Sequence, residues 1–153
     1  RNVMSFKLST RSLQRMEGIK PELHKVVSSA ISHSTVDFGC ICGIRTAEEQ
    51  QALYDKGASQ TLKSKHLTGD AVDLMAYIGS RGSWELNLYD EIADGMKRAS
   101  HKHDVGIRWG CAWHIEDIRS WEGTMEEAMQ DYIDLRKSQG RKFFLDGPHF
   151  ELS

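Results

Sequence analysis

Two short stretches concentrate the residue types that bind a metal or move a proton. The first runs Ser64-Lys65-His66-Leu67-Thr68-Gly69-Asp70-Ala71-Val72-Asp73, and the second Asp146-Gly147-Pro148-His149-Phe150-Glu151. A catalytic zinc takes three protein ligands of nitrogen, oxygen or sulfur type and keeps one position open. His66, Asp73 and His149 offer two imidazoles and one carboxylate, which meets that requirement. A loop folding back over Gly69 would bring His66 and Asp73 to one ion, with His149 joining from the head of a later strand. Hydrolysis also needs a proton acceptor near the metal but not on it. Asp146 lies three residues before His149, across a Gly-Pro turn. That spacing sets it beside the ligand, where it could also return the proton to a leaving amine.

Each of these residues has a structural reading as well. A lone histidine is more often a surface group or a satisfied polar one, and His24, His33, His101, His103 and His114 are read so. Asp73 interrupts the apolar run Ala71-Val72-x-Leu74-Met75. A carboxylate buried there costs several kcal/mol unless paired or coordinated, and a salt bridge would serve as well as a metal. Asp146 to His149 can be a plain turn. No His-Glu-x-x-His pattern is present. Spacing alone leaves both readings open.

These stretches must be positioned by one modest domain. The chain has 153 residues, with 39% apolar and 27% charged. That length can bury roughly 68–70% of the unfolded chain's surface. A net charge of −2 gives no field that would favour nucleic acid or an anionic membrane. No apolar run approaches the roughly 20 residues of a membrane span, and no signal-peptide core is seen. Met4 reads as the native start and residues 1–3 as an appended remnant. Cys40, Cys42 and Cys111 are an odd set without framework spacing, which argues against disulfides. They read as small buried hydrophobes.

Ser9-Thr10 caps a short helix through Met16, and Pro21 opens a second with Leu23, Val26, Val27, Ala30 and Ile31 at helical spacing. Alternation predicts a strand over 36–45. Thr46-Ala47-Glu48-Glu49 is a capping box for a helix ending near Gly57. Residues 58–68 read as loop and 71–77 as strand. Ser83 is expected to cap a helix to about His103, with Leu86, Tyr89, Ile92, Ala93, Met96 and Ala99 on one face. A short strand over 106–109 and a helix over 124–138 follow. The latter turns Met125, Ala128, Met129, Tyr132 and Ile133 inward. The Asp146-Gly147-Pro148 turn then leads into a last strand over 149–152. This order predicts an α+β fold with a small, largely antiparallel sheet.

Ser64-x-His66-x-x-Gly69-x-Ala71-x-Asp73 resembles the signature of the D-alanyl-D-alanine carboxypeptidase and L-alanyl-D-glutamate endopeptidase group of zinc peptidases. Asp146-x-x-His149-Phe150-Glu151 resembles its second signature. Gly43-x-Arg45 followed by Glu49-Gln50-x-x-Leu53-Tyr54 is similar to its upstream segment. The likeness covers about residues 35–78 and 106–152. It implies one Zn2+ per chain on His66, Asp73 and His149, with Asp146 as the catalytic carboxylate. It implies Arg45 as a substrate contact that stabilises the oxyanion; the alternative is a structural pair with Glu48 or Glu49. Ser64 is implied as a substrate-side or loop-shaping residue. Glu151 shares the face of His149 and is the other possible base, but Asp146 fits the family position better.

Two departures stand out. Trp109-Gly110-Cys111-Ala112-Trp113 lacks the second Gly and the Asp of the Trp-Gly-Gly-Asp-Trp stretch in short members. Residues 114–144 form a helical insert that could flank the cleft. The short chain looks most like phage endolysins of this group. The implied activity is hydrolysis of a peptidoglycan stem-peptide bond, most readily L-Ala–D-Glu, by a monomer without nucleic-acid partner or membrane insertion. It would stay in the host cytoplasm until released to the wall. The alternatives are a D-Ala–D-Ala carboxypeptidase and a catalytically silent wall-binding protein.

Overall fold

The computed structural model describes residues 5–153; the expected start at Met4 and remnant at 1–3 lie outside them. Ser9 accepts the Ser12 N–H and opens α1 (Thr10–Arg15). Pro21 opens α2 (Pro21–His33), which buries the five apolar residues expected of it. Thr46 and Glu49 close both hydrogen bonds of their capping box and start α3 (Ala47–Asp55). Such reciprocal bonds satisfy amides that the first helical turn leaves unpaired.

The strands are β1 (Asp37–Cys42), β2 (Ala71–Ile78), β3 (Arg81–Ser83), β4 (Ile107–Trp109) and β5 (His149–Leu152). All their pairings are antiparallel. The sheet order is β1-β2-β5-β4, with β3 paired to the far end of β2. The long helix α4 (Leu86–His103) packs on α2, and α5 (Met125–Ser138) packs on α4. The core joins helix residues such as Leu23, Ile92 and Met96 to Phe38, Leu74 and Phe150 of the sheet. The expected α+β class and antiparallel sheet are therefore observed. No helix among the described residues is long and apolar enough to cross a membrane.

Three local expectations need correction. Ser83 ends β3, and α4 begins only at Leu86 with Glu85 as its N-cap. Ser83 instead accepts the Glu85 N–H through its hydroxyl at 3.3 Å. Leu86, expected inward, is 38% exposed at the helix start. The strand expected over 36–45 runs only from Asp37 to Cys42, and its register slips between Cys40 and Cys42. The slip is a bulge, and it parts the two cysteines: Cys40 is buried and Cys42 only half-buried.

Side-chain alternation along β2 sets up the site. Val72, Leu74 and Ala76 are fully buried, while Asp73, Met75 and Tyr77 are partly buried on the other face. β5 pairs with β2 so that His149 stands opposite Asp73. Phe150 enters the core between His149 and Glu151.

Candidate metal centre

The two signature stretches meet on that face. His66 comes from a 3-10 turn, Lys65–Thr68, which Ser64 caps by accepting the His66 N–H. Gly69 ends the turn in the left-handed region at φ 76°, where a side chain would be strained. A Cβ there would also meet the Gly18 carbonyl at 2.9 Å. The turn therefore folds back over Gly69 into β2, bringing His66 to Asp73.

One carboxylate oxygen is the focus. Asp73 Oδ1 lies 3.3 Å from His66 Nε2 and 3.4 Å from His149 Nδ1. The far ring nitrogens are held from outside. His66 Nδ1 donates to the Gly43 carbonyl at 2.8 Å, and His149 Nε2 donates to Glu151 Oε1 at 2.8 Å. A carbonyl can only accept, as can an ionised carboxylate, so these bonds fix both tautomers. Each ring thus aims its other nitrogen at Asp73. Lys65 holds Glu151 in turn at 3.1 Å. The rings stand edge to face with centroids 5.3 Å apart.

The electrostatics describe the same focus. Burial opposes charge on both imidazoles, yet hydrogen bonding to Asp73 overrides it and raises His66 to about 10 and His149 to about 9. Burial would raise Asp73, but His149 and His66 hold it well below the usual carboxylate range. Two lone pairs converging on a carboxylate oxygen require positive charge between them. Protons can supply it, and so can a divalent cation. The donor set, two neutral-capable imidazoles and one carboxylate with oriented outer partners, fits a metal.

Further donors flank the three. Ligand atoms of Asp73, Asp146 and His149 lie within 4.8 Å of one another, as do those of Cys42, His66 and Asp73. Cys42 was expected to be a buried hydrophobe. The bulge instead turns its Sγ to 3.4 Å from Arg45 Nη2 and 3.7 Å from His66 Nδ1. Burial pushes the Asp146 carboxyl up, and the Asp73 charge pushes it further. Glu151 is shifted down, because its bonds to His149 and Lys65 outweigh its burial.

Arg45 does not pair with Glu48 or Glu49. It reaches Asp73 Oδ2 at 3.5 Å and donates to Gln50 Oε1 at 2.7 Å. Gln50, only 1% exposed, also donates to Ser59 Oγ and the Thr61 carbonyl. It thereby ties α3, Arg45 and the 58–64 loop together. The role of Gln50 was not foreseen; its only trace in the sequence was its place in the Glu49-Gln50-x-x-Leu53-Tyr54 segment. Gly110 was noted only as part of a motif. It donates to the His149 carbonyl at 2.9 Å and accepts the Asp146 N–H at 2.8 Å, so it brackets the turn carrying both.

A cleft of about 720 Å3 opens over the cluster. Arg45, Ser64, His66, Asp73, Asp146 and His149 all line it. Its walls add Trp84, Trp113, Phe144 and the 58–65 loop. Within 114–144 only Phe144 touches it, so α5 lies beside the cleft and does not cross it.

The family model of the phage L-alanyl-D-glutamate peptidase matches residues 4–153. The L-alanyl-D-glutamate peptidase of Escherichia phage T5 is 33% identical over 153 residues, covering 97% of this chain and 99% of that one. The enzyme of the same name from Listeria phage A118 is 37% identical over 70 residues, 46% of this chain and 24% of its own length. Among solved structures, the Serratia marcescens L-Ala D-Glu endopeptidase ChiX matches with a TM-score of 0.69 and 30% identity. That match covers 94% of this chain and 87% of the other. The chain belongs to the phage L-alanyl-D-glutamate peptidase family.

Proposed function

We propose that this protein is a metal-dependent endopeptidase that hydrolyses the L-Ala–D-Glu bond of the peptidoglycan stem peptide, as a phage lysis enzyme. The observation that carries the chemistry is the convergence of His66 Nε2 and His149 Nδ1 on one oxygen of Asp73. His66, Asp73 and His149 would hold the cation, and zinc suits two nitrogens and one carboxylate. When bound, such an ion polarises a carbonyl and acidifies a water molecule.

The chain's own groups supply the rest. Asp146 accepts the proton of the attacking water as oxygen adds to the L-Ala carbonyl carbon. It then passes that proton to the D-Glu nitrogen as the C–N bond breaks. A carboxyl raised by burial suits a group that must both take and give a proton. Glu151 is engaged by His149 and Lys65, which favours Asp146 as the base. Arg45 orients Asp73 from its second oxygen, and its guanidinium also lines the cleft. There it can meet negative charge developing on substrate. Ser64 shapes the turn that carries His66.

The endopeptidase reading over a carboxypeptidase rests on the family and on α5 standing clear of the cleft. Residues 114–144 are then an insert that flanks the site within one peptidase domain. The enzyme works as a monomer and meets its substrate once released from the host cytoplasm to the wall. Mass spectrometry of digested peptidoglycan tests the reading. Peptides with a new N-terminal D-Glu, and L-Ala left on muramic acid, are expected. Free D-Ala as sole product would replace it with the carboxypeptidase alternative.

A further inference from the structure

A second cavity, of about 290 Å3, lies next to the first. Arg108, Trp113, His114, Tyr132, Arg136 and Arg141 line it, and no carboxylate does. Trp113 lines both cavities. Its ring centroid is 5.4 Å from that of His149, and Arg108 Cζ lies 5.4 Å from the same ring.

The cavity gathers positive charge without neutralising it. Among the described residues, the arginines in ion pairs are Arg45 and Arg119. Arg108 spends donors on the Trp113 carbonyl, which is uncharged. Arg136 lies over the Tyr132 ring at 5.6 Å, with its Nε buried and unbonded. His114 gives Nε2 to Asp131 and keeps a buried Nδ1 without partner. Asp131 itself is half exposed and does not line the cavity. Arg136 in the last turn of α5 suits the helix dipole. That does not account for Arg108 of β4 and Arg141 beyond the helix converging on the same space.

We propose that this cavity is an anion subsite for a carboxylate of the stem peptide beyond D-Glu, an inference that rests on the proposed function. The muramyl lactyl carboxyl is consumed in its amide to L-Ala, so the glycan side carries no charge near the bond. D-Glu and the residues beyond it carry free carboxylates. Planar guanidinium groups are the side chains best matched to them. An extended chain advances about 3.3–3.6 Å per residue. The two 5.4 Å steps by way of Trp113 thus stay within the reach of about three residues past the metal site. The pocket therefore sets substrate polarity: the peptide half runs over Trp113 toward α5, and the glycan half leaves by the other end.

Binding tests this apart from catalysis. Zinc-loaded Asp146→Asn protein is titrated calorimetrically with γ-D-Glu-diaminopimelate-D-Ala and with the same peptide amidated at every carboxylate beyond D-Glu. The free acid is expected to bind roughly 10-fold tighter. Arg136→Gln and Arg141→Gln should each shrink that preference severalfold. Arg141 is exposed, so its variant keeps the test open should Arg136→Gln fail to fold. Equal binding of acid and amide overturns the subsite, as does an undiminished preference in a folded variant. Inorganic phosphate competing as well as the acid peptide also overturns it. Cleavage of whole peptidoglycan by the wild-type enzyme is scored separately. Cleavage at L-Ala–D-Glu without any acid preference defeats the subsite alone. An acid preference without that cleavage defeats the functional reading alone.

Discussion

Asp146 and Glu151 both lie near His149, and their surroundings set them apart. Glu151 is committed on both oxygens, to His149 at 2.8 Å and Lys65 at 3.1 Å, whereas Asp146 faces the cleft with a carboxyl raised by burial. Asp146→Asn should keep its metal and lose turnover by roughly 10²-fold or more, checked by metal analysis beside kcat. Glu151→Gln should act on the metal instead. It loosens the His149 ring, so metal affinity should fall by roughly 10–100-fold, read by chelator competition. Near wild-type turnover in Asp146→Asn would move the base elsewhere. His66, Asp73, His149 and Asp146 were legible because their residue types and spacings belong to two recognisable stretches. The partners of those residues were not. The Gly43 carbonyl is a backbone group that any residue would present, and Gln50 matters only once α3 meets the 58–64 loop.

At the scale of elements, the turn carrying Asp146 and His149 is held by β4. Gly110 bonds both residues through its backbone, and Trp109 Nε1 donates to the Gly147 carbonyl at 2.8 Å. A Cβ at Gly110 would stand 2.2 Å from the Asp146 carbonyl oxygen. Gly110→Ala must therefore push the turn away from the strand. Overpacking of this kind costs typically about 1–3 kcal/mol, and kcat should fall with the melting temperature. A variant with unchanged kcat would show that the turn is not set from this side. The helices were legible because the Thr46 capping box acts within one turn and apolar residues recur at helical spacing; the Thr124 capping box that opens α5 was not singled out. Strand order was not legible, since Asp73 and His149 pair across half the chain. The Ser83 cap misled because β3, only three residues long, is made by pairing with β2 and not by its own sequence.

Across the whole molecule, one buried acid has no part in the site. Asp90 of α4 is 5% exposed. Burial, with Glu126, Glu91 and Asp94 nearby, raises its carboxyl from 3.8 to about 6. A folded value above the unfolded one means that the ionised form costs stability. The cost is complete above about pH 6 and gone below the unfolded value of 3.8. Asp90→Asn should therefore stabilise the protein at pH 7–8, by up to roughly 3 kcal/mol. At this size each kcal/mol is worth about 2–4 °C. The gain should vanish as pH falls toward 4, and thermal melts across that range check it. A gain of equal size at pH 4 would point to packing instead of charge. The fold class was legible from element order, but this cluster was not, because α5 meets α4 only in the packed state.

Trp113 sits against both His149 and Arg108, which makes its indole a built-in optical gauge. A coloured, paramagnetic ion such as Co2+ at the proposed metal centre would drain its excited state at that range. Adding Co2+ to metal-free protein should dim part of the emission, and Trp113→Phe should remove the largest share of that dimming, with the other three tryptophans supplying the remainder. Occupancy could then be followed in real time, without substrate and before any bond is cut.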